Sequence, residues 1–460
     1  MRGTLTLEKA GVPTVAVVSA PGFVVSARKT AIQFGMPGLP LADYAWPGHI
    51  GGLPESKVLE LADEIIEAVA EALTKPPART VQTAEEGPQR IRVQADTYEE
   101  ALEEISQLFL KRHWSDGLPL IPPTEKRVEW MLAGTDLPPD HAVAVLEPRK
   151  GLATVRAIAI DAVMAGCRPE HMPVLVAAVQ AMADPAFGLK GPLTTTNAVS
   201  PIFVLNGPIR RQLNVNAEIG CLGHGWRANS SIARALRLMT INLAGTWPGE
   251  NQMAGLGKWS FYCVAEFEEE NPWNPLHVEM GYDRGASTVS VFPVTDLHIL
   301  TATENEIKNS DASTGEYATE GPEALLRAMG DHMAQAGPLG SQARHWGDVL
   351  WLLATGHANV LAKAGYSKGD IKHFLWENSK VPFYRWKRGS YEFVEEESLK
   401  AGIDICDPHF PCPVVGRPED IYLFVAGGRG DIHSAYFPTW SGELARHVTK
   451  EIRMPANRCG

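Results

Sequence analysis

The run Val12–Ser19, VPTVAVVS, constrains this chain most: it is apolar and rich in β-branched residues, the composition of a strand covered on both faces. Such a strand needs neighbours in its sheet and a layer on either side. The flanking sequence supplies few. Leu5 to Ala10 reads as the end of an amphipathic helix, and a loop with Pro21 and Gly22 leads into a helical stretch from Val25 to Phe34. An extended piece, LPLADYAW, and an acidic amphipathic helix from Ser56 to Leu73 complete the segment. One or two strands with one or two helices make half of an α/β sandwich, too small to bury a parallel sheet on both sides. The other half is expected from the rest of the chain or from another chain, because a bare edge at Val12 to Val18 invites aggregation.

The chain is long enough for more than one core. Its 460 residues, 45% hydrophobic and 21% charged, suit a globular protein of two to three domains at ~150 residues per domain. A formal charge of -12 argues against nucleic acid or an anionic membrane as the main partner, since both favour a basic face. No charged-then-apolar leader opens the sequence and no apolar run approaches the ~20 residues of a membrane span, so a cytoplasmic location is expected. The six cysteines (Cys167, Cys221, Cys263, Cys406, Cys412 and Cys459) are too scattered for a disulfide framework.

Residues Lys75 to Arg92, rich in Pro and charge and without apolar period, read as a linker between a first domain, 1–74, and a second, 93–460. In the second domain the sequence predicts a packing helix from Thr97 to His113 capped by Asp96, and a Gly/Pro-rich loop from Trp114 to Pro122. Two buried helices between Ala153 and Ala183, broken at 165–169, come next. Strands are expected at Ile202–Asn206, Ser260–Phe267 and Ile421–Ala426, with a basic helix from Ser230 to Leu243. No internal repeat is legible. The fold class expected is α/β: a partial Rossmann-like sandwich followed by a larger mixed α/β domain.

Five places carry candidate chemistry. Cys167 stands just before a helix start marked by Pro169 and Glu170, with Arg168 beside it, a setting that stabilises a thiolate; the plainer reading is a cysteine filling a helix break. The loop GCLGHGWRAN gathers Cys221, His224, Trp226, Arg227 and Asn229; with Asn229 as N-cap, the following helix start suits an anionic ligand. Cys221 with His224 is also half of a metal site. His277 and Glu279, two apart in a segment read as extended, would share one face as an acid/base pair or as metal ligands. Cys406, His409 and Cys412 in CDPHFPC have ligand spacing, but no second cluster completes a zinc set. The glycine-rich VAGGRGDIHS brings His433 and Ser434 to the end of a buried strand, where open α/β sheets bind ligands. For all five, an ordinary loop or core role is the competing reading.

The pieces GVPTVAVVSAPGF and PGLPLADYAWPGHIGGLP, with the helix after them, resemble the later part of the UGSC-like family, named for a selenocysteine or cysteine followed by Gly-Ser-Cys. Family members carry that motif upstream of the matching strand, so the resemblance implies that residues 10–74 hold scaffold and not the reactive motif. From Trp114 to about Ser434 the phrases WSDGLPLIPPT, MAGCRPEHMPVLVAAVQAM, NGPIRR, GWRANSSIARALRL, NPWNPLHVE and VAGGRGDIHS resemble a large, poorly characterised bacterial family. That resemblance implies importance for Cys167, Trp226, Arg227, Asn229, His277, Glu279, His433 and Ser434, and leaves Cys221 and the CDPHFPC cluster particular to this chain.

The leading expectation is the large subunit of a two-subunit, thiol-dependent enzyme. A small subunit would complete the first domain and supply the Cys/Sec-Gly-Ser-Cys motif. The reaction would be a reduction, or the making or breaking of a carbon-heteroatom bond. Cys167, His277 and Glu279 are the catalytic candidates, with Trp226, Arg227, Asn229, His433 and Ser434 holding a small anionic substrate. Three alternatives stay open: a metal-dependent hydrolase or lyase using His277, Glu279 and a cysteine on a transition-metal cofactor, a non-catalytic scaffold for the small subunit, and a natural chain with a longer N-terminus.

Overall fold

The computed structural model describes residues 2–18, 21–33, 35–43, 55–74, 91–258, 261–301, 321–341, 347–389, 402–440 and 445–455. Most of the expected linker, 75–90, lies outside these residues, as does Cys459. The chain packs as two units, Met1–Thr97 with Thr246–Met253, and Tyr98–Gly245 with Ala254–Gly460.

The first unit runs α1 (Arg2–Lys9), β1 (Ala16–Val18), α2 (Pro21–Gln33), β2 (Leu41–Asp43) and α3 (Glu55–Thr74). β1 and β2 pair in parallel, Ala16 opposite Leu41 and Val18 opposite Asp43. Thr14 fixes the entry to β1 by donating from its backbone N and hydroxyl to Glu8 Oε1, at 2.5 and 3.1 Å. Two small cores result, one of Leu5, Ala31 and Leu39, the other of Val18, Val24 and Ala27. Burial of β1 on both faces does not hold: Val17, between buried Ala16 and Val18, is 54% exposed. On α3, Leu59, Ile66 and Leu73 recur every seventh residue and are exposed, flanked by Glu60, Asp63 and Glu67.

The second unit is a four-layer sandwich. Its helices α4 (Tyr98–Lys111), α5 (Glu125–Leu132), α6 (Val155–Met164), α7 (Met172–Ala183), α8 (Lys190–Thr194), α9 (Ile209–Gln212), α10 (Arg227–Asn242) and α11 (Leu276–Glu279) interleave with strands. A hairpin of β3 (Ala142–Leu146) and β4 (Gly151–Thr154) precedes β5 (Ser200–Asn206), β6 (Tyr262–Ala265), β7 (Thr288–Val294) and β8 (His298–Thr301). Then come β9 (Val349–Leu353), the short pair β10 (Val381–Pro382) and β11 (Pro411–Cys412), β12 (Ile421–Val425), β13 (His433–Pro438) and β14 (Val448–Glu451). The main sheets have the orders β14-β7-β5-β6 and β8-β13-β9-β12.

Alternation along the strands sets the layers. Ile202 and Val204 of β5 pack on Leu350 and Leu352 of β9 between the sheets. Phe203 and Leu205 turn outward onto α6, α7 and α10. Val349, Trp351 and Leu353 likewise face the helices 321–341, 355–363 and 368–378 on the other side. The strands are buried on both faces, which explains why they read as continuous apolar runs rather than as an alternating pattern.

Contrary to the sequence reading, the sandwich contains an internal structural duplication. In each sheet one parallel and two antiparallel pairings occur in the same arrangement: β5 pairs with β6, β7 follows β5, and β14 follows β7, just as β9 pairs with β12, β13 follows β9, and β8 follows β13. Ile202 lies between Tyr262 and Phe292, and Leu350 lies between Tyr422 and Phe437. The fourth strands are exchanged, since β8 leaves β7 for the second sheet and β14 leaves β13 for the first. At the crossing, Thr295 N donates to Pro438 O at 2.8 Å and Trp440 N to Pro293 O at 2.7 Å, two bonds at equivalent positions of the two halves.

One buried ionisable group in this core gives a pH test. Asp161, on α6, accepts from Asn242 Nδ2 at 2.6 Å, while its Oδ2 and the Oδ1 of Asn242 have no partner among the described residues. Burial pushes its carboxyl up to about 7, against an ordinary 3.8. The folded state therefore keeps a proton that the unfolded chain releases above pH 3.8. This contribution to stability is complete below that pH and is lost as pH rises towards 7, on the order of 4 kcal/mol in all. Urea unfolding of wild type and Asp161→Asn at about pH 5 and about pH 8 checks it, the variant being expected to lack this part of the pH slope.

Candidate functional site

α6 ends at Met164, and Gly166, at φ 83°, turns the chain into Cys167 and Arg168 ahead of the 3-10 turn Pro169–His171. α10 begins at Arg227, with Trp226 in the N-cap position and no side-chain cap. Between these segments and α5 lies a cavity of about 840 Å³, lined by Arg127, Arg168, Arg227 and Arg234, by Trp130 and Trp226, and by no acidic side chain among the described residues.

Three of the four guanidinium groups are held. Arg127 Nη1 donates to Pro122 O at 3.0 Å, and Arg168 Nε pairs with Glu170 at 2.6 Å. Arg234 grips Asp116 in a two-pronged contact, Nε to Oδ2 and Nη2 to Oδ1 at 3.0 Å each, and also donates to the carbonyls of Leu118 and Pro119. Arg227 makes no side-chain hydrogen bond or ion pair among the described residues. It is the cation left for a ligand, and its fork geometry matches a carboxylate or phosphate. Trp130 and Trp226, 51% and 38% exposed, offer ring faces to an apolar or planar body.

Cys167 lines this cavity, but not as the expected thiolate. Its Sγ donates to Ser231 O at 3.2 Å, it is 4% exposed, and burial pushes the thiol up to about 12. The helix start beside it is only a three-residue turn, and Arg168 directs its charge to Glu170. Desolvation wins, and the thiol stays protonated at neutral pH. The neighbouring His171 is uncharged as well, since burial pushes it down to about 4.

The other expected residues are dispersed. Asn229 is not the N-cap; it sits in the first turn of α10, buried, where its side chain binds both backbone groups of Asn216 and the carbonyls of Cys221 and Cys263. It fixes the loop to β6 and has nothing left for a ligand. His277 and Glu279 lie on α11 and not on an extended segment, so a two-residue spacing turns them to different sides. His277 is fully buried, its Nε2 3.3 Å from Arg284 O, while Glu279 is paired with Lys368 at 3.1 Å and with Lys372. His433 is exposed against Asp431, and Ser434 is buried 2.7 Å from His357 Nδ1. None of these four lines the cavity.

The metal candidates also separate. Cys412 is turned into the core on β11, with burial pushing it up to about 12, whereas Cys406 and His409 are exposed. Cys221 is buried and pushed up to about 11 by that burial, while His224 is exposed. Among the described residues no three His, Cys, Asp or Glu side chains converge as a metal would require.

Sequence reasoning missed Arg127, Trp130, Arg234, Arg237 and Asp116. Arg234 and Arg237, one helical turn apart, both bind Asp116, whose side chain is 3% exposed. Burial alone would raise its carboxyl, yet hydrogen bonds from the two arginines outweigh it and hold the group below the usual range. The turn spacing was available as a signal, but a partner more than a hundred residues away in WSDGLP was not.

Residues 1–75 match the sequence model of the UGSC family. A comparison with curated proteins returns no match. The first unit is therefore UGSC-like, and the cavity belongs to the second unit, outside the matched residues. No helix among the described residues is long and apolar enough to cross a membrane.

Proposed function

We propose that this protein is the substrate-holding component of a thiol-dependent enzyme, binding a small organic anion in the arginine-lined cavity. A second chain, docked on the UGSC-like unit, would supply the Cys/Sec-Gly-Ser-Cys motif. The observation that carries the reading is a cavity with four arginines and, among the described residues, no acid and a single thiol that is protonated at neutral pH. Such a site holds charge without providing a nucleophile, so the reactive thiolate has to come from elsewhere. Exposed Val17 and the apolar stripe of α3 support a docked chain, and the acids beside that stripe favour one with a basic rim. His277 and Glu279 have no role in this reading, because neither reaches the cavity.

Two measurements test it. Native mass determination of the complex from its own host should find a second chain, and the 50.0 kDa chain alone or as a homo-oligomer would overturn the two-chain reading. Arg227→Ala should weaken binding of a small carboxylate such as benzoate by about tenfold or more, as loss of one charge-assisted contact implies. Unchanged affinity by calorimetry would remove the cavity from the mechanism.

A further inference from the structure

We propose a second anion site on the adjoining flank of α10, in a cavity of about 520 Å³ between that helix, the loop around Cys221 and the start of β6. The proposal deepens the reading above, since Ser230 and Arg234 line both cavities and make α10 the wall between two compartments. The second compartment presents Arg234 and Arg237 as its cationic groups, with His224 and the rings of Phe261 and Tyr262 beside them, and no acidic side chain among the described residues.

The charge balance of this compartment points to a ligand there. Arg234 and Arg237 share a single carboxylate, Asp116, so one of their two positive charges is uncompensated at a place where Asp116 itself is nearly inaccessible. An anion in this cavity would supply the missing countercharge. The chemical class is a small carboxylate or phosphate with a planar or apolar body. Because Arg234 belongs to both walls, anions in the two compartments draw on one charge, and each is expected to weaken the other by the same factor.

The two compartments carry their own reporters, as Cys167 lines the first and Cys221 the second. The full chain is alkylated with N-ethylmaleimide at mildly alkaline pH, with benzoate or inorganic phosphate up to tens of millimolar against chloride at equal ionic strength. The rate at each cysteine is read by peptide mass mapping. Protection of Cys221 by either anion is expected, with the half-protecting concentration raised about tenfold or more in Arg237→Met, while Cys167 is protected at an equal or lower concentration because its competitor is weakened. Arg227→Ala should do the converse, and Arg237→Lys, which keeps the charge, should retain part of the Cys221 protection. No protection of Cys221 while Cys167 is protected overturns the second site alone. Protection of Cys221 that Arg237→Met leaves unchanged overturns it too. Protection of Cys221 without Cys167 overturns the first cavity instead, and protection of neither overturns both.

Discussion

Asp116→Ala is expected to destabilise the second unit by about 3 kcal/mol or more, the range found when one partner of a buried ion pair is removed and its counter-charge stays behind. Here two arginines stay behind. Arg234 and Arg237 would face each other across an empty place, and the loop from Trp114 to Pro122 would keep only its carbonyl bonds to Arg234 and Asn242 of α10. Urea denaturation checks the value through a lower midpoint at unchanged slope. The double variant Asp116→Ala with Arg237→Met should recover part of the loss, because it removes one of the orphaned charges. A loss under about 0.5 kcal/mol, the size of a surface pair, would mean that the clamp is solvated and not structural.

Gly207→Ala should cost about 3 kcal/mol or prevent folding, for two reasons that add. Gly207 closes β5 at φ 78°, a left-handed conformation that costs an L residue roughly 1–2 kcal/mol. A Cβ there would also stand 2.0 Å from the backbone oxygen of Ala286, and that backbone is held in place. Ser287 accepts at its Oγ from Ile209 N and at its carbonyl from Ile452 N, so giving way would break contacts to α9 and to the segment after β14. Thermal unfolding with soluble yield measures the effect. Gly117→Ala is a control, since Gly117 has a φ of 91° but a Cβ at that position would meet nothing within 4 Å, and it should show the backbone cost alone.

Local elements were legible where local physics decides them. The break at 165–169 between two apolar helices was marked by Gly166 and Pro169, and the structure places it there between α6 and α7. β5, β6 and β12 appeared as apolar β-branched or aromatic runs because both of their faces are covered. Cys167, Trp226 and Arg227, read from separate segments, do line one cavity. The errors came where tertiary environment outweighs local signal. A cysteine beside an arginine and a helix start looks activated in sequence, but full burial reverses the sign. Asn229 looked like a cap, and packing against Asn216 and β6 drew it into the helix. The duplication left few marks beyond the matched Tyr262 and Tyr422 and the Phe-Pro pairs at Phe292 and Phe437. Sheet register is conserved between the halves by geometry that many apolar side chains satisfy equally.

The exchange of β8 and β14 has a consequence for synthesis. While the chain leaves the ribosome, the first sheet stays open at one edge until the strand that closes it, Val448–Glu451, has been made, after β9, β12 and β13 of the second sheet. The first half must therefore wait, with the flank of β7 unpaired, until the strands of the second sheet have been translated. A ribosome that stalls after β13 releases a product with that flank open, and a protease acting on such chains would distinguish finished from unfinished copies by this single edge.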